Sequence, residues 1–415
     1  MITAKNLDPI FVHASARAAS SYFFNVLRRN KAFLCFSSAI IDGKRDVADP
    51  ARKPNIIWRR SDDTFDINHH FLERPDYYEF TEAWDAVMHL CPECPTFQNY
   101  LPSGGILSDD LRVFLGALIE HARSQDKRPV LCETNSRGRV AALRNVFDGF
   151  HIAQYRDPLS QFGSFIRAVV EGGFWGFLSH PATELGTCAT HPLYAIVPAP
   201  WRVPSLPWMA SNRAQRWASD ARYIAMVGAP ERDTMEKVFR WHLFSWVLSN
   251  LAAVAYSDLA LDMDKIHDDA NYRASIVSSL AAIGVVVDFR DLKKFDRYYV
   301  FESFDTETLC NQVSATIRNA LAEGVLDQAL RTVGGQSPVT PTATGVDILL
   351  SKMNDSLAAM AASADRRCVS AAEWSAVVRK RRKIWFNPSM RILGERVYPF
   401  AAPIVHAGRR VGLWN

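Results

Sequence analysis

The sequence predicts a three-layer α/β fold with a central parallel sheet, followed by a helical C-terminal extension. Two observations support this prediction. Short apolar runs alternate with helical patterns through residues 9–170, and polar motifs follow directly on two of the apolar runs. The chain has 415 residues, of which 48% are hydrophobic and 22% charged, so it can bury a large core without disulfides.

The first predicted elements are a strand at Pro9–His13 and a helix that places Tyr22, Phe23, Val26 and Leu27 on one side. Further along the chain, Asp157 and Pro158 have the residue types of a helix cap and first turn. The remaining strands and helices between and after these points are predicted at Leu111–Arg123 (helix), Pro129–Glu133 (strand), Val140–Phe147 (helix), His151–Tyr155 (strand), Glu236–Ala255 (helix), Tyr272–Ile283 (helix) and Val346–Ala362 (helix).

Composition divides the chain into three predicted parts. The main domain spans 1–332 and includes an irregular insertion at 172–212, which is rich in Gly, Pro and Trp and has little periodicity. A stretch of Gly, Pro, Ser and Thr at 333–345 has the composition of a linker. Residues 346–415 form the helical, basic extension.

Charge and cysteine content exclude several classes of protein. A net charge of +4 does not indicate a nucleic-acid partner. The seven cysteines are irregularly spaced, and no second pair follows Cys91 and Cys94, so neither a disulfide framework nor a metal site is predicted. The N-terminus has no signal-peptide pattern and no run of about 18 apolar residues occurs, so the predicted location is the cytoplasm.

The first polar motif lies between the first strand and the first helix. A helix N-terminus offers unpaired N–H groups to phosphate, small residues allow close approach, and serines add donors. Compared with the loop of nucleotide triphosphatases, Ala14 and Ala19 replace both glycines and Ser20 replaces the lysine, which argues against an ATPase or GTPase. A simple strand-to-helix turn with a capping serine is the alternative. The candidate anion-binding residues are Ser15, Arg17, Ala18, Ala19, Ser20, Ser21 and Tyr22.

The second polar motif follows the strand at His151–Tyr155. Arg156 stands just before a helix N-terminus, and Ser164 lies eight positions later on that helix. The planar guanidinium group offers a fork of donors that suits phosphate. An ordinary Arg–Asp pair at a helix start is the alternative. Both motifs occupy strand-to-helix junctions of a parallel sheet, where ligands usually bind.

Together the two motifs resemble those of sulfotransferases that use 3′-phosphoadenosine 5′-phosphosulfate (PAPS), in particular bacterial carbohydrate-type members. The segment 17–22 resembles the Arg-Ser-Gly-Ser/Thr-Ser/Thr-aromatic loop that holds the 5′-phosphosulfate. Arg156 and Ser164 match the family residues that contact the 3′-phosphate. The resemblance covers residues 9–170, and Ala19 departs from it because the family has Gly there.

This resemblance implies a P-loop-like nucleotide-binding fold and transfer of a sulfonate group from PAPS to a hydroxyl or amine, with a saccharide or glycolipid as one acceptor class. PAPS is then a co-substrate, and no metal is needed. Arg17 would stabilise the departing 5′-phosphate. The family takes the acceptor proton with Glu or His; Glu82 is favoured here and Glu133 is next, while Glu79, His69 and His70 are further candidates.

Two other functions stay open. Because Ala19 departs from the sulfotransferase motif, the chain could instead be a catalytically silent module of the same fold that binds nucleotide bisphosphate. A nucleotide kinase is disfavoured, because the loop lacks the lysine. The segment 374–396 joins cations to aromatics, which suits peripheral contact with an anionic membrane. An anionic glycan partner or a solvated helix would explain the same pattern.

Overall fold

The fold was analysed in a computed structural model, which describes residues 7–41, 44–50, 77–93, 100–172, 175–204, 222–228, 233–292 and 298–385. The strands are β1 (Ile10–Ala14), β2 (Phe33–Ser37), β3 (Arg128–Glu133), β4 (Phe150–Tyr155), β5 (Leu259–Asp262), β6 (Tyr298–Phe301) and β7 (Arg366–Val369). Strands β1 to β5 form one sheet, and β6 pairs with β7 in a second.

Helices connect and cover these strands. They are α1 (Ser20–Arg28), α2 (Lys44–Ala48), α3 (Tyr78–Glu82), α4 (Trp84–Val87), α5 (Asp109–Ser124), α6 (Val140–Val146), α7 (Pro158–Gly172), α8 (Trp175–Thr187), α9 (Pro192–Ala195), α10 (Thr234–Tyr256), α11 (Met263–Asp268), α12 (Ala270–Ala282), α13 (Thr306–Ala322), α14 (Val325–Gly334), α15 (Thr342–Ala362) and α16 (Ala371–Trp385). A short helical segment also lies at 222–227.

The five-stranded sheet has the order β2-β3-β1-β4-β5, and every neighbouring pair runs parallel. All residues of β1 and β3 are buried, as expected for strands covered on both faces. Because the strands are parallel, their carboxyl ends meet at one edge, which we call the carboxyl edge; Ala14, Glu133 and Tyr155 lie there. The predicted parallel α/β sheet is confirmed.

Helices pack on both faces of the sheet. On one face, Ile10 and Val12 of β1 join Phe23 of α1 and Leu280 of α12 in a buried cluster. On the other face, Phe11 packs with residues of α3, α5 and α6. Alternate β1 residues therefore enter different cores, which follows from the period of two along a strand. A third and larger cluster is built mainly by α7, α8, α10, α13, α14 and α15.

The predicted irregular insertion at 172–212 is largely helical in residues 175–204, which the structure describes. Residues 175–187 form α8 and residues 192–195 form α9. Most of α8 is buried, Pro181 lies inside it, and its residues contact α7 and α10. Because a helix that is apolar on several sides shows little amphipathic periodicity, its sequence resembles an irregular segment.

Parts of the predicted linker and extension belong to the large core, within residues 333–385 that the structure describes. Helix α14 ends at Gly334 and α15 begins at Thr342, so both enter the predicted linker 333–345. Four residues of α15 at helical spacing pack into the large cluster: Val346, Leu349, Leu350 and Met353. Their contact with α10 joins α15 to the rest of the fold.

Helix α16 contains the first part of the predicted membrane-contact segment 374–396. Trp374 is buried and its ring contacts the rings of Trp175 and Phe301, at centroid distances of 5.8 and 6.2 Å. This aromatic side chain is therefore part of the core. Residues from 386 onward lie outside the described ranges. Within those ranges, no helix combines the length and the apolar character needed to cross a membrane.

Candidate functional site

The loop between β1 and α1 turns sharply at the carboxyl edge. Ser15 accepts a backbone hydrogen bond from Ala18 at 3.2 Å, which forms a tight turn. Arg17 and Ala19 both have positive φ angles, 65° and 61°. L-residues pay a steric cost in this left-handed region. The loop is thus held in a conformation that glycine would adopt without strain, and Ala19 stands where the sulfotransferase motif that it resembles has glycine.

The junction between β4 and α7 is organised by Asp157. Its carboxylate accepts the backbone N–H of Ser160 at 2.9 Å, which caps α7. It also accepts hydrogen bonds from the hydroxyl groups of Tyr298, at 2.7 Å, and Ser356. With Asp157 held on three sides, the preceding Arg156 leaves β4 in a defined direction, and its guanidinium group donates to Ser160 Oγ.

The structure brings these two motifs into contact. Arg17 Nε donates to Ser164 Oγ at 2.8 Å, and Arg156 Nη1 donates to the carbonyl oxygen of Arg17 at 3.4 Å. Two glutamines add to the connection, since Gln161 Nε2 donates to Ser15 Oγ at 2.6 Å and Gln154 Nε2 donates to the Ala18 carbonyl at 2.7 Å. The strand order explains the meeting, because β1 and β4 are neighbours.

Positive charge accumulates at this contact. Burial, and next the guanidinium groups of Arg156 and Arg167, lower the pKa of Arg17 to about 10. All three causes oppose the positive charge on Arg17, so the negative charge of a bound anion would offset them. Arg167 was missed by the sequence analysis. Its spacing in the sequence could have identified it, because Arg167 lies three positions after Ser164 and therefore on the same side of α7.

Other residues of the predicted loop take different positions. Ser20 and Ser21, the first residues of α1, are half-buried at the helix N-terminus. Ala18 is fully buried. The hydroxyl group of Tyr22 donates to Asp291 Oδ1 at 2.7 Å, so this side chain joins α1 to the segment after α12. Tyr22 thus has a packing role in this structure.

The structure places Glu82, the favoured candidate base, away from the Arg17 loop. Glu82 is exposed at the end of α3. In the same short helix, Glu79 pairs with Arg28 in the last turn of α1, with its oxygens 2.6 and 2.9 Å from the guanidinium nitrogens. Burial lowers the pKa of His121, in the last turn of α5, and the negative charge of Glu82 opposes this effect. Both contacts lie at the amino ends of the strands, the edge opposite Arg17.

Glu133 lies at the carboxyl edge, as the end of β3. It is buried, and its two carboxylate oxygens accept the backbone N–H groups of Ala39 and Ile40 at 2.7 and 2.8 Å. Burial raises the pKa of Glu133 to about 7, against the opposing effects of these hydrogen bonds and of the nearby cation Lys44. The carboxylate therefore holds the loop after β2, and both of its oxygens are occupied.

A histidine that the sequence analysis missed lies on α8, the helix whose Phe177 ring lies near Arg17. The ring of Phe177, on α8, lies 5.8 Å from the Arg17 guanidinium carbon. His180 follows one turn later on the same side of the helix. Its Nε2 is 2.9 Å from Asn135 Oδ1. The amide nitrogen of Asn135 faces Thr134 Oγ1 and the Ile40 carbonyl, so the amide oxygen is the atom that faces His180.

His69 and His70, two further candidate bases, lie outside the described ranges, as does Cys94. Among the residues that the structure describes, no group of three or more His, Cys, Asp or Glu side chains could hold a metal ion. The arrangement at the carboxyl edge offers hydrogen-bond donors and cations, which suits binding of an anion. Comparison of the chain with protein-family models, with curated proteins and with solved structures found no match.

Proposed function

We propose that this chain is a PAPS-dependent sulfotransferase with a P-loop-like nucleotide-binding fold. The observation that carries the proposal is the hydrogen bond between Arg17 and Ser164, 2.8 Å long. It joins two motifs that resemble the family's 5′-phosphosulfate and 3′-phosphate motifs. Their adjacency matters because one bisphosphate nucleotide must reach both motifs at once.

The two motifs take different parts of the nucleotide in this proposal. The backbone N–H groups at the start of α1, with Ser20 and Ser21, hold the 5′-phosphate, and Arg17 neutralises it. Arg156 and Ser164 hold the 3′-phosphate. The lowered pKa of Arg17 supports these roles, because burial beside Arg156 makes an added anion favourable.

The chemistry is an in-line transfer. A bond forms between the acceptor oxygen or nitrogen and the sulfur atom, while the bond from sulfur to the 5′-phosphate oxygen breaks. Negative charge grows on that departing oxygen, and Arg17 stabilises it there. The acceptor loses a proton as it attacks, so a base must lie near the sulfonate.

We propose His180 as this base. It lies one helical turn from Phe177, whose ring contacts Arg17, so it faces the same part of the carboxyl edge. The contact of its Nε2 with Asn135 Oδ1, at 2.9 Å, orients the ring, and an imidazole can take up a proton near neutral pH. Glu133 is less suitable because both of its oxygens already accept backbone hydrogen bonds.

The silent nucleotide-bisphosphate module is the alternative, and Ala19 is the observation that favours it. Its positive φ of 61° is strained for alanine. A loop that maintains this strain without turnover would still bind the nucleotide. The two functions differ only in whether sulfonate leaves the donor.

Calorimetry and a transfer assay test the proposal together. We expect adenosine 3′,5′-bisphosphate to bind, labelled sulfonate to reach an acceptor in a screen, and Arg17→Ala to lower turnover roughly 100-fold. Arg112→Ala, which changes an exposed arginine paired with Asp109, is the matched control and should change neither nucleotide binding nor turnover. Binding without turnover across the screen indicates the silent module. Absence of binding, or full turnover by Arg17→Ala, refutes the proposal.

A further inference from the structure

Helix α15 reaches the β4–α7 junction from the far end of the chain. Ser356, on this helix, donates a hydrogen bond to the Asp157 carboxylate. The backbone N–H of Asp157 in turn donates to Asp264 Oδ2 at 2.6 Å. Asp157, the residue that follows Arg156, is therefore held by Ser356 through its side chain and by Asp264 through its backbone.

The ammonium group of Lys352, one turn before Ser356, lies between two carboxylates. Its Nζ is 2.8 Å from Asp262 Oδ1 and 2.9 Å from Asp264 Oδ2. The side chain is only 7% exposed, so these interactions are weakly screened by solvent. Burial alone would lower the pKa of Lys352, but Asp264 and Asp262 outweigh burial and raise it, so the ammonium group is charged.

Asp264 also interacts with Arg156. Burial would raise the pKa of this carboxyl group, but the guanidinium group of Arg156 and then the ammonium group of Lys352 hold its pKa below the usual value. One carboxylate thus serves two cations. The positive charge of Lys352 partly cancels the negative charge of Asp264. The net attraction on the Arg156 guanidinium group is therefore weaker than Asp264 alone would exert.

We infer that Lys352 is a positioning residue: by neutralising Asp264, it leaves the guanidinium group of Arg156 to bind the ligand's 3′-phosphate. The inference rests on the proposed function, because it gives Arg156 the 3′-phosphate. It adds that selectivity for a 3′-phosphorylated nucleotide depends on the C-terminal helix α15. Without the lysine charge, Asp264 attracts Arg156 more strongly and competes with the phosphate.

The test compares affinities for adenosine 3′,5′-bisphosphate and adenosine 5′-monophosphate by calorimetry, using the full chain. We expect Lys352→Met to reduce the preference for the bisphosphate roughly tenfold, with little change in affinity for the monophosphate. Adding Asp264→Asn should restore the preference, because it removes the competing charge while the amide oxygen still accepts from Asp157. A loss of packing alone would not be restored in this way.

Lys237→Met is the matched control, since it removes an exposed lysine that pairs with Asp233, and it should leave the preference unchanged. If folded Lys352→Met keeps the wild-type preference, or the double variant fails to restore it, the inference is wrong. If Lys352→Met does not fold, Asp264→Asn alone decides. A preference above wild type supports the inference, and an unchanged or lower one overturns it. A wild-type chain with no preference for the bisphosphate refutes the proposed function itself.

Discussion

Replacing Ala19 with glycine should stabilise the protein, although most alanine-to-glycine changes destabilise. Ala19 has a φ of 61° and a ψ of 25°, in the left-handed region. An L-residue pays about 1–2 kcal/mol there, and glycine avoids most of this cost. Glycine also adds freedom to the unfolded chain, which costs about 0.4–1 kcal/mol. We therefore expect Ala19→Gly to raise the free energy of unfolding by about 0.5–1 kcal/mol.

The neighbouring residue provides a matched control with the opposite expected sign. Ala18 is fully buried and is not among the residues with positive φ. Ala18→Gly gains no relief of strain, loses a buried methyl group worth about 0.8 kcal/mol, and adds the same freedom to the unfolded chain. We expect it to lower the free energy of unfolding by about 1.5 kcal/mol. The two variants should thus differ by about 2 kcal/mol.

Urea denaturation followed by tryptophan fluorescence measures both variants, and the eleven tryptophans provide the signal. The reasoning is refuted if both substitutions destabilise the protein to the same extent, because the loop would then impose no left-handed conformation on Ala19. A stabilised Ala19→Gly with unchanged nucleotide affinity would show that alanine in place of the glycine of the sulfotransferase pattern does not impair binding, whereas a raised affinity would show that it does.

Two further predictions concern the acidic and basic groups of the site. His180→Ala should lower transfer to the acceptor roughly 100-fold or more at unchanged donor affinity, whereas Glu82→Gln should leave the rate unchanged in the same assay. If Glu82→Gln lowers the transfer rate and His180→Ala does not, Glu82 is the base and His180 is not. Burial raises the folded-state pKa of Glu133 to about 7 from 4.5. The folded protein therefore holds this proton more tightly, so this contribution to stability is lost as pH rises from about 4.5 to about 7. Glu133→Gln should lack that loss, and equal pH slopes for variant and wild type would contradict the raised pKa.

Most helices and strands between residues 9 and 170 were predictable because their signals are local. The apolar run before Arg17, the cap and proline at Asp157 and Pro158, and the helical spacing in α5 are all contained within short segments. Helix α8 was not predictable in this way. It is buried on several sides and contains Pro181, so it lacks the one-sided apolar pattern that identifies a surface helix.

The position of Glu82, the favoured candidate base, was not predictable for a related reason. Glu82 stands in a segment rich in aromatic and acidic residues, but sequence pattern does not specify which edge of the sheet a segment packs against. The ion pair of Glu79 with Arg28 draws α3 to the last turn of α1, away from the carboxyl edge. His180 had no local motif, and only the packing of α8 beside the Arg17 loop identifies it.

By itself the sequence determined most strands and helices between residues 9 and 170 and the two polar motifs at strand-to-helix junctions, since periodicity, caps and turn residues act over a few positions. The tertiary structure decided that β1 lies beside β4, which brings Arg156 to Arg17 across 139 positions of the chain. It also decided that Lys352 of α15 reaches the carboxylates behind Arg156. Such contacts depend on how whole elements pack, and the free energy of that packing is distributed over the entire core.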